Sequence, residues 1–162
     1  MSGFIVFALP VARGIVGISP MPGRGGHYAE DIAHLKDWKP ALVVTLATEA
    51  EMTAAGAGGL GNDLQNSGTR WFAFPVPDLG APGFRQEADW RAVSRPALAA
   101  LEGGGRVLIH CMGGCGRSGM AALRLMIESG EAAEPALQRL RAVRPCAVET
   151  GDQLDWARQG AV

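Results

Sequence analysis

Residues 110–119 read HCMGGCGRSG, a stretch holding four glycines, two cysteines, a histidine and an arginine. An apolar run, RVLIH (Arg106–His110), precedes it, and MAALRLMIESG follows with apolar residues at helical spacing. A strand that opens through glycines into a helix aims backbone N–H groups, and the positive end of the helix dipole, at one point. That is an anion site built by main chain. It restricts the fold to those that seat a strand–loop–helix unit in a sheet.

Two phosphate-loop patterns fit poorly. Gly114, Gly116 and Gly119 satisfy G-x-G-x-x-G, but HCM separates the strand from the first available glycine, and Arg117 occupies the turn where a pyrophosphate needs close backbone approach. A G-x-x-x-x-G-K-[ST] loop needs a glycine where Cys111 stands and a lysine where Arg117 stands. What remains is Cys111, five residues, then Arg117 and Ser118. Five residues can curl so that successive N–H groups point inward, with the sulfur at the floor and the guanidinium fork gripping two oxygens of a tetrahedral dianion. Met112, Gly113, Gly114, Cys115, Gly116 and Arg117 are the expected phosphate-binding residues. The same field favours the thiolate of Cys111 over the thiol, which makes it a nucleophile rather than a small buried hydrophobe.

Along the rest of the chain, apolar runs and helical patterns alternate. Strands are expected over Phe4–Leu9, in GIVGIS as a short edge strand, over Ala41–Thr48, in TRWFAFPVPD and in RVLIH. Helices are expected in YAEDIAHLKDW, as one or two short pieces between residues 49 and 68, and in FRQEADWRAVSRPALAALEGG, where Pro96 would kink or split it. Two more are expected in EAAEPALQRLRAVR and TGDQLDWARQ. Without repeats or a linker, 162 residues make one α/β domain around a central, mostly parallel sheet flanked by helices.

The formal net charge is −1 and the basic residues are scattered, which argues against a nucleic-acid face. The N-terminal apolar stretch lacks a basic leader and is broken by Pro10, so no membrane partner is expected. Three cysteines, Cys111, Cys115 and Cys146, make an odd count with no disulfide-framework spacing, which argues against a secreted disulfide scaffold and points to an intracellular, cytoplasmic chain where a free thiol can do chemistry.

HCMGGCGRSG resembles the signature loop of the cysteine-dependent phosphatases, specifically the small dual-specificity and tyrosine phosphatases. The likeness covers most of the chain. PVPDLGAP is similar to the family's mobile acid-bearing loop, ALVVTLATEAEM to its early core strand, and LRAVRPCAVETGDQLDW to a segment of the subgroup like the cyclin-dependent kinase inhibitor 3 phosphatase. The resemblance implies a dual-specificity phosphatase-like fold, no metal or cofactor, and a phosphoprotein or phosphopeptide substrate. It implies that Cys111 attacks phosphorus, that Arg117 and the amides of residues 112–117 hold the transferred group, and that Ser118 donates to the sulfur. His110 would order the loop. Asp78, at a strand end between prolines and glycines, would be the general acid, with Asp63 and Asp89 as weaker alternatives. Val76 stands where the family often has tryptophan. Gln153 would position the hydrolytic water, although Thr150-x-x-Gln153 also reads as a capping box. Cys146 sits where the subgroup often has glycine, and Cys115 or Cys146 could trap an oxidised Cys111. Cradle positions 112–116 carry no lysine, which disfavours a lipid substrate. Two functions of other classes are a rhodanese-like sulfurtransferase and a non-catalytic phosphate-binding module.

Overall fold

The apolar strands in RVLIH and ALVVT have no polar alternation, as expected when both faces of a sheet are covered. The structure, a computed structural model describing residues 3–161, shows why. Five strands are described: β1 (Phe7–Val11), β2 (Gly14–Ser19), β3 (Leu42–Thr45), β4 (Arg70–Ala73) and β5 (Arg106–His110). They form one sheet in the order β1-β2-β5-β3-β4. Only the β1–β2 hairpin is antiparallel; β5 runs parallel to β2 on one side and to β3 on the other. Val107 and Ile109 therefore face one core and Leu108 the other.

The seven helices described are α1 (Tyr28–Asp37), α2 (Glu49–Ala54), α3 (Leu60–Asn66), α4 (Glu87–Glu102), α5 (Gly116–Glu128), α6 (Ala133–Val143) and α7 (Gly151–Arg158). Buried residues of α1, α2 and α3 belong to the Leu108 core, and those of α4, α5, α6 and α7 to the Val107 core. Helix α5 is buried from Gly116 to Ile127. Even its Arg124 is buried, stacked 4.4 Å from the Trp156 ring and paired with Glu87 and Glu128. The helix that follows the glycine loop is thus fixed along its length, and so is its N-terminus. Among the described residues, no helix is long and apolar enough to cross a membrane.

Several boundaries differ from expectation. The first strand is Phe7–Val11 rather than Phe4–Leu9, with Pro10 tolerated because β1 is an edge. GIVGIS is an inner strand, since the hairpin covers its other side. The third strand ends at Thr45, because Thr48 caps α2: its hydroxyl accepts from the Glu51 N–H and the Glu51 carboxylate accepts from the Thr48 N–H. Pro96 lies inside a continuous α4. Cys115 and Cys146 are joined by a disulfide across a sequence separation of 31, leaving Cys111 as the free cysteine. Bonded to each other, Cys115 and Cys146 are not the free partners expected to trap an oxidised Cys111. Spacing alone missed the pair because sheet and helices bring it together, and the cysteine count no longer points to an intracellular compartment.

Candidate active site

β5 ends in the middle of the sheet, and the loop of residues 111–115 leaves its C-terminal edge, where open α/β sheets bind ligands. Gly114 has φ +73°, and a side chain there would collide with the Ser19 backbone, so the curl requires glycine. The loop is hung from its neighbours: Met21 N–H donates to Met112 O at 2.9 Å, and Leu46 N–H to His110 O at 2.9 Å.

Cys111 lies at the floor, 3 % exposed, and Ser118 Oγ donates to its sulfur at 2.9 Å. His110 is completely buried, and burial pulls its pKa from 6.5 to about 4, so it is neutral at pH 7. Its contacts fix the tautomer. Nδ1 lies 3.1 Å from Cys111 O, a carbonyl that can only accept, so Nδ1 carries the proton. Nε2, 2.6 Å from Thr45 Oγ1, then accepts from that hydroxyl, which in turn accepts from Trp71 Nε1–H at 2.8 Å. This chain of donors runs from β4 through β3 to the backbone of Cys111.

Arg117 is 2 % exposed. Glu51 meets it bidentately, Nη1 donating to Oε1 at 2.7 Å and Nη2 to Oε2 at 2.9 Å, while Nη1 also donates to Val76 O at 2.8 Å. The Arg117 pKa is raised: burial opposes its charge, but its hydrogen bonds to Glu51 and the charges of Cys111, Glu51 and Asp78 outweigh it. Glu51 is held at about 2, chiefly by its hydrogen bond with Arg117. Sequence reasoning missed Glu51. Its only local signal was the Thr48-x-x-Glu51 capping box, which says nothing about an arginine 66 residues away.

Asp78 lies on the rim of a cavity of about 230 Å³ together with Cys111, Met112, Gly113, Cys115, Gly116 and Arg117. Its side chain is 71 % exposed, and Oδ1 lies 3.6 Å from Arg117 Nη2. The loop bearing it is tied to the sheet through Val76 N–H donating to Leu46 O at 2.9 Å. Val76 is fully buried. Asp63 is committed elsewhere, accepting from the Tyr28 hydroxyl at 2.5 Å. Asp89 stands in the first turn of α4 and does not line the cavity.

Gln153 is buried and forms the capping box of α7; its Oε1 accepts from Glu149 N–H at 2.8 Å, and its Nε2 donates to Gly80 O at 3.1 Å. It thereby links α7 to the loop carrying Asp78. Two further rim residues escaped sequence reasoning. Glu149 Oε1 accepts from Gly116 N–H at 2.8 Å, and Arg24 Nη1 donates to Met112 O at 3.4 Å.

A cysteine on the floor of a cavity lined by a glycine-rich loop, with a buried arginine and a rim carboxylate, invites comparison with known structures. No family model matches the sequence, and no curated protein matches it. Solved structures do. Kinase associated phosphatase (KAP), in a form with its catalytic-site cysteine replaced by serine, is 21% identical, with a TM-score of 0.86 over 98% of this chain and 94% of that one. The chain has the fold of the cysteine-dependent phosphatases. Tk-PTP in its active form is 28% identical, with a TM-score of 0.71 over 89% of each chain. PTPMT1 in complex with PI(5)P is 16% identical, with a TM-score of 0.72 over 95% of this chain and 94% of that one.

Proposed function

We propose that this phosphatase-fold chain is a metal-independent phosphoprotein phosphatase that hydrolyses phosphotyrosine, and phosphoserine or phosphothreonine where the cavity admits them, through a phosphocysteine intermediate. The 2.9 Å contact from the Ser118 hydroxyl to the Cys111 sulfur carries the proposal, because it puts a donor where a sulfur that attacks and later leaves needs one. Cys111 Sγ attacks phosphorus and forms the S–P bond as the P–O bond to the substrate breaks. Asp78 gives its proton to the departing oxygen. Arg117 and the amides of residues 112–115 and 117 take up the charge on the three phosphoryl oxygens, the Gly116 N–H being engaged by Glu149, with Glu51 holding the guanidinium in place. In the second step Asp78 accepts a proton from water, which attacks phosphorus and expels the Cys111 thiolate, while Ser118 donates to the departing sulfur. Cradle positions 112–116 carry no basic side chain, which supports a protein rather than a polyanionic lipid substrate.

Hydrolysis of an aryl phosphate in EDTA tests the proposal. Cys111→Ser should abolish turnover, and Asp78→Asn should lower it about 10²- to 10⁴-fold, less for better leaving groups. Turnover that needs a metal, or that survives Cys111→Ser, overturns the mechanism. Thiosulfate turnover without phosphatase activity points to sulfur transfer, and phosphopeptide binding without turnover points to a binding module.

A further inference from the structure

The segment 144–149, between α6 and α7, grips four consecutive cradle residues. Arg144 Nη2 donates to Gly113 O and Nε to Gly114 O, each at 2.9 Å, with Phe7 under its guanidinium at 4.2 Å. Cys146 is bonded to Cys115. Glu149 accepts from the Gly116 N–H at 2.8 Å. Only one of these ties is covalent and reversible. Both of its cysteines are half-buried, and Cys115 lines the cavity, so small reactants reach the bond. Cys111 is 3 % exposed at the floor and takes no part in it.

We propose that Cys115–Cys146 is a thiol–disulfide exchange site, opened by a dithiol reductant, that sets how tightly the cradle holds an oxyanion; the inference rests on the phosphatase reading of the same cavity. The two sulfurs differ as leaving groups. Arg144 Nη2 lies 3.5 Å from Cys115 Sγ, and Cys115 is the N-cap of α5, so a guanidinium and a helix N-terminus both favour its thiolate. The reductant's thiolate therefore attacks Cys146 Sγ, forming a mixed disulfide as the Cys115 thiolate departs. The second thiol of the reductant, as thiolate, attacks its own sulfur in that mixed disulfide, releasing the Cys146 thiolate and closing the reductant into a cyclic disulfide. The dithiol loses two electrons and two protons, and the pair gains them.

Reduction weakens the cradle in two ways that agree in sign. It removes the covalent tie at Cys115, and it leaves an ionisable thiol against Arg144 at the edge of an anion site. Oxidation at this pair therefore strengthens anion binding, the opposite of what oxidation of the nucleophile Cys111 does.

The experiment uses Cys111→Ser, which contains only the two cysteines in question. Intact mass after alkylation should show no label once the protein is treated with the oxidised, cyclic form of a dithiol, and two labels after treatment with the dithiol. Calorimetric titration with tungstate should give about five- to tenfold tighter binding in the oxidised state, the scale of losing a preorganising restraint. Cys115→Ser/Cys146→Ser in the same background should be indifferent to redox state and bind more weakly than the oxidised form. Circular dichroism monitors folding throughout. Equal tungstate affinity in both redox states, a pair that stays reduced in the oxidant, or a folded double-serine variant that binds as tightly as the oxidised form overturns the proposal and leaves the phosphatase reading intact. Tungstate binding in neither state sinks both.

Discussion

Glu51→Gln separates the charge that holds Arg117 from the cap that starts α2. Glutamine keeps an oxygen to accept from the Thr48 N–H, so the helix cap survives while the negative charge goes. The magnitude follows from the carboxyl's acidity. A fall from 4.5 to about 2 is worth about 3 kcal/mol at roughly 1.4 kcal/mol per decade of acidity. The Glu51 side chain is 21 % exposed, and water screens part of that, whereas Arg117 would be left buried at 2 % with only the exposed Asp78 carboxylate, 3.6 Å away, as a charged partner. Breaking a buried pair from one side costs about 3–5 kcal/mol, so with screening we expect a loss of about 2–3 kcal/mol at pH 7. The carboxyl is more acidic folded than unfolded. Its contribution is therefore complete above about pH 5 and disappears as the pH falls from 4.5 through 2. Urea denaturation of wild type and Glu51→Gln at a series of pH values measures the gap. A gap under about 0.5 kcal/mol at pH 7, the level of an ordinary surface substitution, would refute the role given to Glu51. So would a gap that persists unchanged to pH 3.

His110 supplies a second pH dependence at a higher window. Its pKa is depressed from 6.5 to about 4 in the folded protein, so the unfolded chain binds the extra proton first, and stability falls by up to about 3 kcal/mol between pH 6.5 and 4. His110→Asn should flatten that part of the denaturation profile; a profile with the same slope would mean another group is responsible. Ser118→Ala removes the 2.9 Å donor to sulfur and should slow the second chemical step more than the first. Stopped-flow with an aryl phosphate should then show a burst of phenol followed by a slow steady state, and equal slowing of both phases would show that the hydroxyl does not assist the sulfur's departure.

Much of the site was legible because it is contiguous. The spacing from Cys111 to Ser118 sets which amides, which guanidinium and which hydroxyl can reach one sulfur, and strand β5 was read to the residue. Gln153 shows where such reading ends: its capping box with Thr150 is local and visible, whereas its donation to Gly80 O, 73 residues away, is not. Glu51 and Cys146 are invisible for the same reason. Glu51 reaches Arg117 because β3 lies beside β5 in the sheet, and Cys146 reaches Cys115 because α6 and α7 fold back over the loop. Backbone torsion and hydrogen-bond spacing act over a few residues, so the sequence alone determined the loop that curls over Cys111 and the strand and helix that frame it. Ion-pair, disulfide and rim geometry depend on strand order and helix packing across the whole chain, and only the tertiary structure decided which groups hold that cradle in place.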